Sequence, residues 1–82
     1  MAIDFPGFRW DHARAEAIAR TLQPALEAAE GLGLPLPDRL AALALAAAAL
    51  VSRSPLARDP DLAARAVATL LVDALRTRTL PW

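Results

Sequence analysis

The sequence predicts an all-α fold, a small bundle of three main helices preceded by an extended aromatic arm. Apolar residues recur at spacings of three and four, proline and glycine separate the segments, and no alternating strand pattern occurs. We divide the chain into an N-terminal aromatic arm, residues 1–10, and a single helical domain, residues 11–82.

The first helix is predicted over about residues 11–30. Asp11 suits the N-cap because its carboxylate accepts an orphan backbone N–H. Gly31 and Gly33 are expected to end the helix in the left-handed conformation. Pro24 removes one hydrogen bond inside the helix. We expect one helix kinked at Pro24 rather than two helices, because the apolar stripe keeps its phase across the proline.

The second helix is predicted over residues 37–52. Pro37 suits the first helical position, and Asp38 lies near the positive end of the helix dipole. Between Arg39 and Ser52 the helix has no polar residue. A helix that is apolar all round is normally buried on every side. Two neighbouring helices can hardly surround it, so we expect part of its surface to contact another chain.

The third helix is predicted over residues 59–78, after a connector with one short turn starting at Ser54. Asp59 serves as the N-cap and Pro60 as the first helical residue. One wide apolar face is expected, formed by Leu62, Ala63, Ala66, Val67, Leu70, Leu71, Ala74 and Leu75. All three helices are joined by short links, which favours a compact bundle.

Length and composition restrict how this fold is stabilised. A chain of 82 residues has a marginal core of its own. It has no cysteine, which excludes disulfides and thiolate zinc sites. The one candidate metal pair is His12 with Glu16, and no third ligand accompanies it, so we expect no metal and no cofactor. Oligomerisation or docking to a larger protein is the remaining support.

The residues also argue against catalysis and nucleic-acid binding. Cysteine, lysine and tyrosine are absent, and Ser52 and Ser54 lie far in sequence from His12, so no nucleophile–base pair is assembled. We expect the chain not to be an enzyme. Nine arginines balance nine acidic residues, whereas a nucleic-acid binder shows a basic excess on one face.

Localisation and origin follow from the same composition. The longest apolar run, residues 40–51, has 12 residues, and a membrane-spanning helix needs about 20. No charged and then apolar signal sequence begins the chain. We therefore expect a cytoplasmic protein without a transmembrane segment. All nine of the lysine-plus-arginine residues are arginines, and asparagine is absent. We therefore expect the coding sequence to be GC-rich and bacterial.

The aromatic arm, with its stretch FPGFRW, has three interpretations. It caps the open end of its own bundle, with Phe5 or Phe8 packed before the helix start. It anchors a neighbouring protein through Arg9 and Trp10, which are residue types enriched at interface hot spots. Alternatively, it inserts at a membrane surface. The predicted contact residues are Phe5, Phe8, Arg9, Trp10, Leu40, Leu43, Leu50 and Val51.

Two segments resemble known families. The run LPLPDRLAALALAA, residues 34–47, following LQPALEAAEGLG, looks like the second half of alphaproteobacterial anti-sigma factors of the general stress response. Residues 28–51 also resemble small accessory subunits of amidase-type hydrolases. Both resemblances imply a small helical protein that acts by binding a larger one, and no residue roles are carried over from either.

The function expected from the sequence is that of a non-catalytic helical interaction protein. It associates with itself or serves as an accessory or regulatory subunit of a larger bacterial protein. A small-molecule or lipid-binding helical bundle is the first alternative, with leucine and alanine lining an apolar pocket. A transcriptional regulator of the helix-turn-helix type is the second.

Overall fold

A computed structural model describes residues 9–82 and shows an all-α chain. Its elements in order are α1 (His12–Gly31), α2 (Leu36–Ser52), a 3-10 turn (Pro55–Arg58) and α3 (Pro60–Thr77). No strand occurs between residues 9 and 82. The predicted class and the three main helices are therefore confirmed. The structure of the arm over residues 1–8 lies outside the described residues.

Capping residues begin two of the helices as predicted. The Asp11 carboxylate accepts a hydrogen bond from the Arg14 backbone N–H at 2.9 Å. At the start of α3, the Asp59 carboxylate accepts from the Leu62 backbone N–H at 3.1 Å. Each carboxylate satisfies one of the backbone donors that have no partner within the first turn. α2 begins at Leu36, one residue earlier than predicted, and no side chain caps it.

The C-terminal end of α1 differs from the prediction at one glycine. The helix runs without interruption through Pro24 and includes Gly31, whose φ is not positive. Gly33 alone takes the left-handed conformation, with φ 74°. The Leu34 backbone N–H then donates to the Ala29 carbonyl oxygen at 3.2 Å, which closes the last turn. The prediction that Gly31 is left-handed was wrong, because a single left-handed residue suffices to end a helix.

α3 ends at Thr77 rather than at residue 78. Arg78 follows it in the left-handed conformation, with φ 56°, and is the one non-glycine residue with positive φ among residues 9–82. The Thr79 backbone N–H donates to the Ala74 carbonyl oxygen at 3.2 Å. The helix therefore closes as a glycine-ended helix does, although a side chain occupies the left-handed position.

The helices pack loosely around a very small core. Only Ala63 and Ala66, both on α3, are buried among the described residues. The 3-10 turn packs against α2 and α3, and α1 packs against α2. The Cα radius of gyration is 13.5 Å, whereas a compact chain of this length has about 11–12 Å. The three helices therefore leave much of their apolar surface uncovered.

None of the helices in the described part of the chain combines sufficient length with sufficient hydropathy to cross a bilayer.

Candidate interaction surface

The most apolar element, α2, is also the least covered one. Its residues from Leu40 to Val51 are all apolar, yet none of them is buried. Leu40 is 57% exposed, Leu45 72% and Leu50 71%. Contiguous apolar surface of this kind is uncommon on monomeric proteins and marks contact sites. The local sequence explains the helix itself, because alanine and leucine have the highest helix propensities.

The four residues predicted on α2 do not have equal surroundings. Leu40, Leu43 and Leu50 are exposed, and Val51 is half-buried beside the connector to α3. Leu45, on the opposite face of α2, is more exposed than any of these four, although the sequence did not distinguish it from its neighbours. The exposed apolar surface therefore extends around α2.

The C-terminal segment folds back over α1 and α2. The Arg20 Nε–H donates to the Pro81 carbonyl oxygen at 3.1 Å. Trp82 then lines a cavity of about 200 Å³ between the two helices, together with Leu36, Leu40 and Leu43. This anchor of the tail was missed from sequence, because no local pattern links an arginine in the first helix with a carbonyl 61 positions later.

Trp10 contacts its own chain. Its ring centroid lies 5.6 Å from that of His12, with an angle of 54° between the two ring planes. Trp10 is half-buried and Arg9 is exposed. The other two aromatic residues predicted as contacts, Phe5 and Phe8, lie outside the described residues. The structure therefore places the one described aromatic residue of the arm against the first turn of α1.

A second cavity, of about 210 Å³, lies beside Trp10 between α1, α3 and the C-terminal segment. Its apolar lining comes from Ala15, Ala19, Leu70, Ala74, Leu80 and Pro81. Its polar lining includes His12 and Glu16, whose Nε2 and Oε2 atoms are 3.5 Å apart. Ligand pockets in proteins are usually larger, about 300–1,000 Å³.

His12 and Glu16, the one candidate metal pair in the sequence, are engaged within the protein. The Glu16 carboxylate accepts from the Arg20 guanidinium at 2.6 Å, closer than its contact with His12. Between residues 9 and 82, no group of three or more histidine, cysteine, aspartate or glutamate side chains is placed to hold a metal ion. In this geometry Glu16 serves to orient Arg20 toward the C-terminal segment.

Charged residues border the apolar surface where α1 meets α2. The Arg39 guanidinium lies 3.9 Å from the Glu30 carboxylate, across the link between the two helices. Within the described part of the chain, the buried Nε of Arg39 has no hydrogen-bond partner. Ion pairs of this length at a surface contribute little, about 0–1 kcal/mol.

α3 has two apolar faces, one buried and one exposed, where a single wide face was predicted. Its buried residues are Ala63 and Ala66, whereas Val67, Leu71 and Leu75 are exposed. A face that covers one side of a helix spans about 100° or a little more. The predicted face was wider than this, and its width was the signal that two surfaces were present.

Comparison with known protein families, with curated proteins and with solved structures finds no match to this chain.

Proposed function

We propose that this chain is a non-catalytic helical interaction protein, which associates with itself or serves as an accessory or regulatory subunit of a larger bacterial protein. One observation carries the proposal: α2 is apolar from Leu40 to Val51 and exposes its leucines to water. Fully burying one leucine side chain stabilises a protein by about 1.5–3 kcal/mol. Covering several of them supplies a strong driving force for association.

The contact surface proposed on α2 consists of Leu40, Leu43 and Leu50 on one face and of Leu45 on the opposite face. Leu43 and Leu40 are adjacent to Trp82, so the folded-back tail forms one border of this surface. Tryptophan is among the residue types enriched at interface hot spots. A partner that fits here presents an apolar helix face or groove, because α2 offers no polar group between Arg39 and Ser52.

Native mass spectrometry of the tagged chain isolated from its source cells tests this proposal. We expect species heavier than one chain, and we expect Leu45→Glu to reduce their share while helicity stays unchanged by circular dichroism. Leu45 is highly exposed, so a glutamate there disturbs a contact without disturbing the fold. Ala17→Glu, on an exposed position of α1, is the matched control and should leave the heavier species intact.

The lipid-binding alternative has one observation in its favour, the largely apolar cavity of about 210 Å³ beside Trp10. Binding of an acyl chain there would require the cavity to enlarge, because pockets for such ligands are usually larger. The same mass measurement separates the two functions. A stable monomer that carries copurifying lipid, with Leu45→Glu unchanged from wild type, would support the alternative and contradict the interaction function.

A further inference from the structure

α3 carries an apolar stripe on the side away from its buried residues. The stripe is formed, at spacings of four, three and four, by Ala64, Ala68, Leu71 and Leu75. Leu71 is 59% exposed and Leu75 53%, and the two alanines are exposed as well. Val67 and Val72 flank the stripe and are also exposed. This spacing is that of a coiled-coil seam, and here the seam faces solvent.

Two charged residues continue the stripe at its ends. In the same pattern of spacings, Asp61 in the first turn of α3 comes one step before Ala64. Arg78, the left-handed residue that directly follows the helix, comes one step after Leu75. Both charged residues are exposed. Within residues 9–82, neither of them takes part in an ion pair. The stripe therefore has an acidic end and a basic end that no described residue neutralises.

We infer that the occupant of this stripe is α3 of a second copy of the chain, packed antiparallel about a two-fold axis. In the register that aligns the apolar residues, Ala64 of one copy faces Leu75 of the other, and Ala68 faces Leu71. Small residues thus oppose large ones along the whole seam. The same register sets Asp61 opposite Arg78 of the second copy, once at each end.

Charge complementarity favours a second copy of the chain as the partner and an antiparallel packing of the two α3 helices. A two-fold interface requires that, where one residue contacts another, the reciprocal contact also forms. The pair Asp61 and Arg78 satisfies this condition in the antiparallel arrangement. A parallel pair would instead place Asp61 against Asp61 and Arg78 against Arg78, which like charges disfavour. The helix dipoles also oppose each other favourably in the antiparallel pair.

The size of the stripe indicates how tightly the two copies are expected to bind each other. Standard interfaces use about 20–30 residues on each side, whereas this seam has four apolar positions, two charged ones and their flanking valines. We therefore expect a dissociation constant in the micromolar range. This inference rests on the proposed function, since it names a second copy as one partner while α2 stays free for another.

Charge reversal tests the ends of the seam. Asp61→Arg and Arg78→Asp should each raise the dissociation constant about tenfold or more, because each replaces two attractive contacts per dimer with repulsive ones. The double variant D61R/R78D should restore the wild-type value, measured by sedimentation equilibrium. If the single variants acted by damaging the helix ends, the double variant would be weaker than either of them.

Disulfide trapping tests the direction and register of the α3 pair. Because the chain has no native cysteine, only the introduced cysteines can cross-link. Mixed A64C and L75C proteins should cross-link to each other under mild oxidation. A64C alone should not, because its two sulfur-bearing positions lie about 16 Å apart along the antiparallel pair at 1.5 Å rise per residue. Ala13→Cys, exposed on α1, measures the background of random collisions.

Three outcomes would overturn the inference. They are a chain that stays monomeric at high micromolar concentration, single charge variants that dimerise like wild type, and cross-linking of A64C alone that equals the mixture. In each case the effect of Leu45→Glu on heavier species still tests the function proposed through α2. Failure of the α3 pairing and failure of the interaction function therefore give different results.

Discussion

At the scale of single residues, two glycines two positions apart have opposite conformational roles. Gly31 lies inside α1 with helical backbone angles, whereas Gly33 has φ 74° and ends the helix. A Cβ built at either position meets no atom within 4 Å. Any effect of alanine at these sites therefore comes from the backbone and not from packing.

We expect Gly31→Ala to raise the free energy of unfolding by about 0.5–1 kcal/mol, because glycine inside a helix loses more conformational entropy than alanine. Gly33→Ala should lower it by about 1–2 kcal/mol, because a side chain in the left-handed conformation is strained. Urea denaturation of both variants measures the difference. Shifts of the same sign in the two variants would show that the end of α1 is not formed as described.

At the scale of elements, α1, the 3-10 turn and α3 each begin through a side-chain cap that is local in sequence. Asp59 caps α3 through the Leu62 backbone N–H, and Pro60 occupies the first helical position. Ser54 caps the 3-10 turn by accepting from the Leu56 backbone N–H at 3.2 Å. Because such contacts join residues two or three positions apart, a sequence pattern is sufficient to predict them.

We expect Asp59→Ala to lower the free energy of unfolding by about 1 kcal/mol, because the Leu62 N–H loses its acceptor. Asp59→Asn should retain most of the stability, since its amide oxygen accepts the same hydrogen bond. Thermal unfolding followed by circular dichroism compares the two. Equal losses in both variants would attribute the effect to the charge near the helix dipole rather than to the cap.

At the scale of the whole molecule, the buried core is too small for the apolar content of the chain. Fifteen large hydrophobic side chains are exposed among the described residues, while the buried ones are two alanines. Chains of this size are marginally stable even with a well-formed core. Association is therefore expected to contribute to the stability of the folded protein.

We accordingly expect the melting temperature to rise with protein concentration, because association stabilises the folded state by mass action. Leu71→Glu, in the α3 stripe, should weaken this dependence, and Ala17→Glu should not. Differential scanning calorimetry over a range of protein concentrations measures how the melting temperature depends on concentration. A melting temperature independent of concentration in the wild type would mean that the folded monomer is stable without a partner.

The sequence by itself determined the helical class, the number of helices, and their ends to within one residue. These features depend on capping, proline geometry and apolar spacing, all of which act over a few positions. Tertiary structure alone decided which apolar faces are covered. It directs Ala63 and Ala66 inward and Leu71 outward, and it brings Pro81 to Arg20. The spacing of apolar residues in the sequence predicts that a helix has apolar faces. Which of these faces is buried depends on the relative orientation of the packed helices.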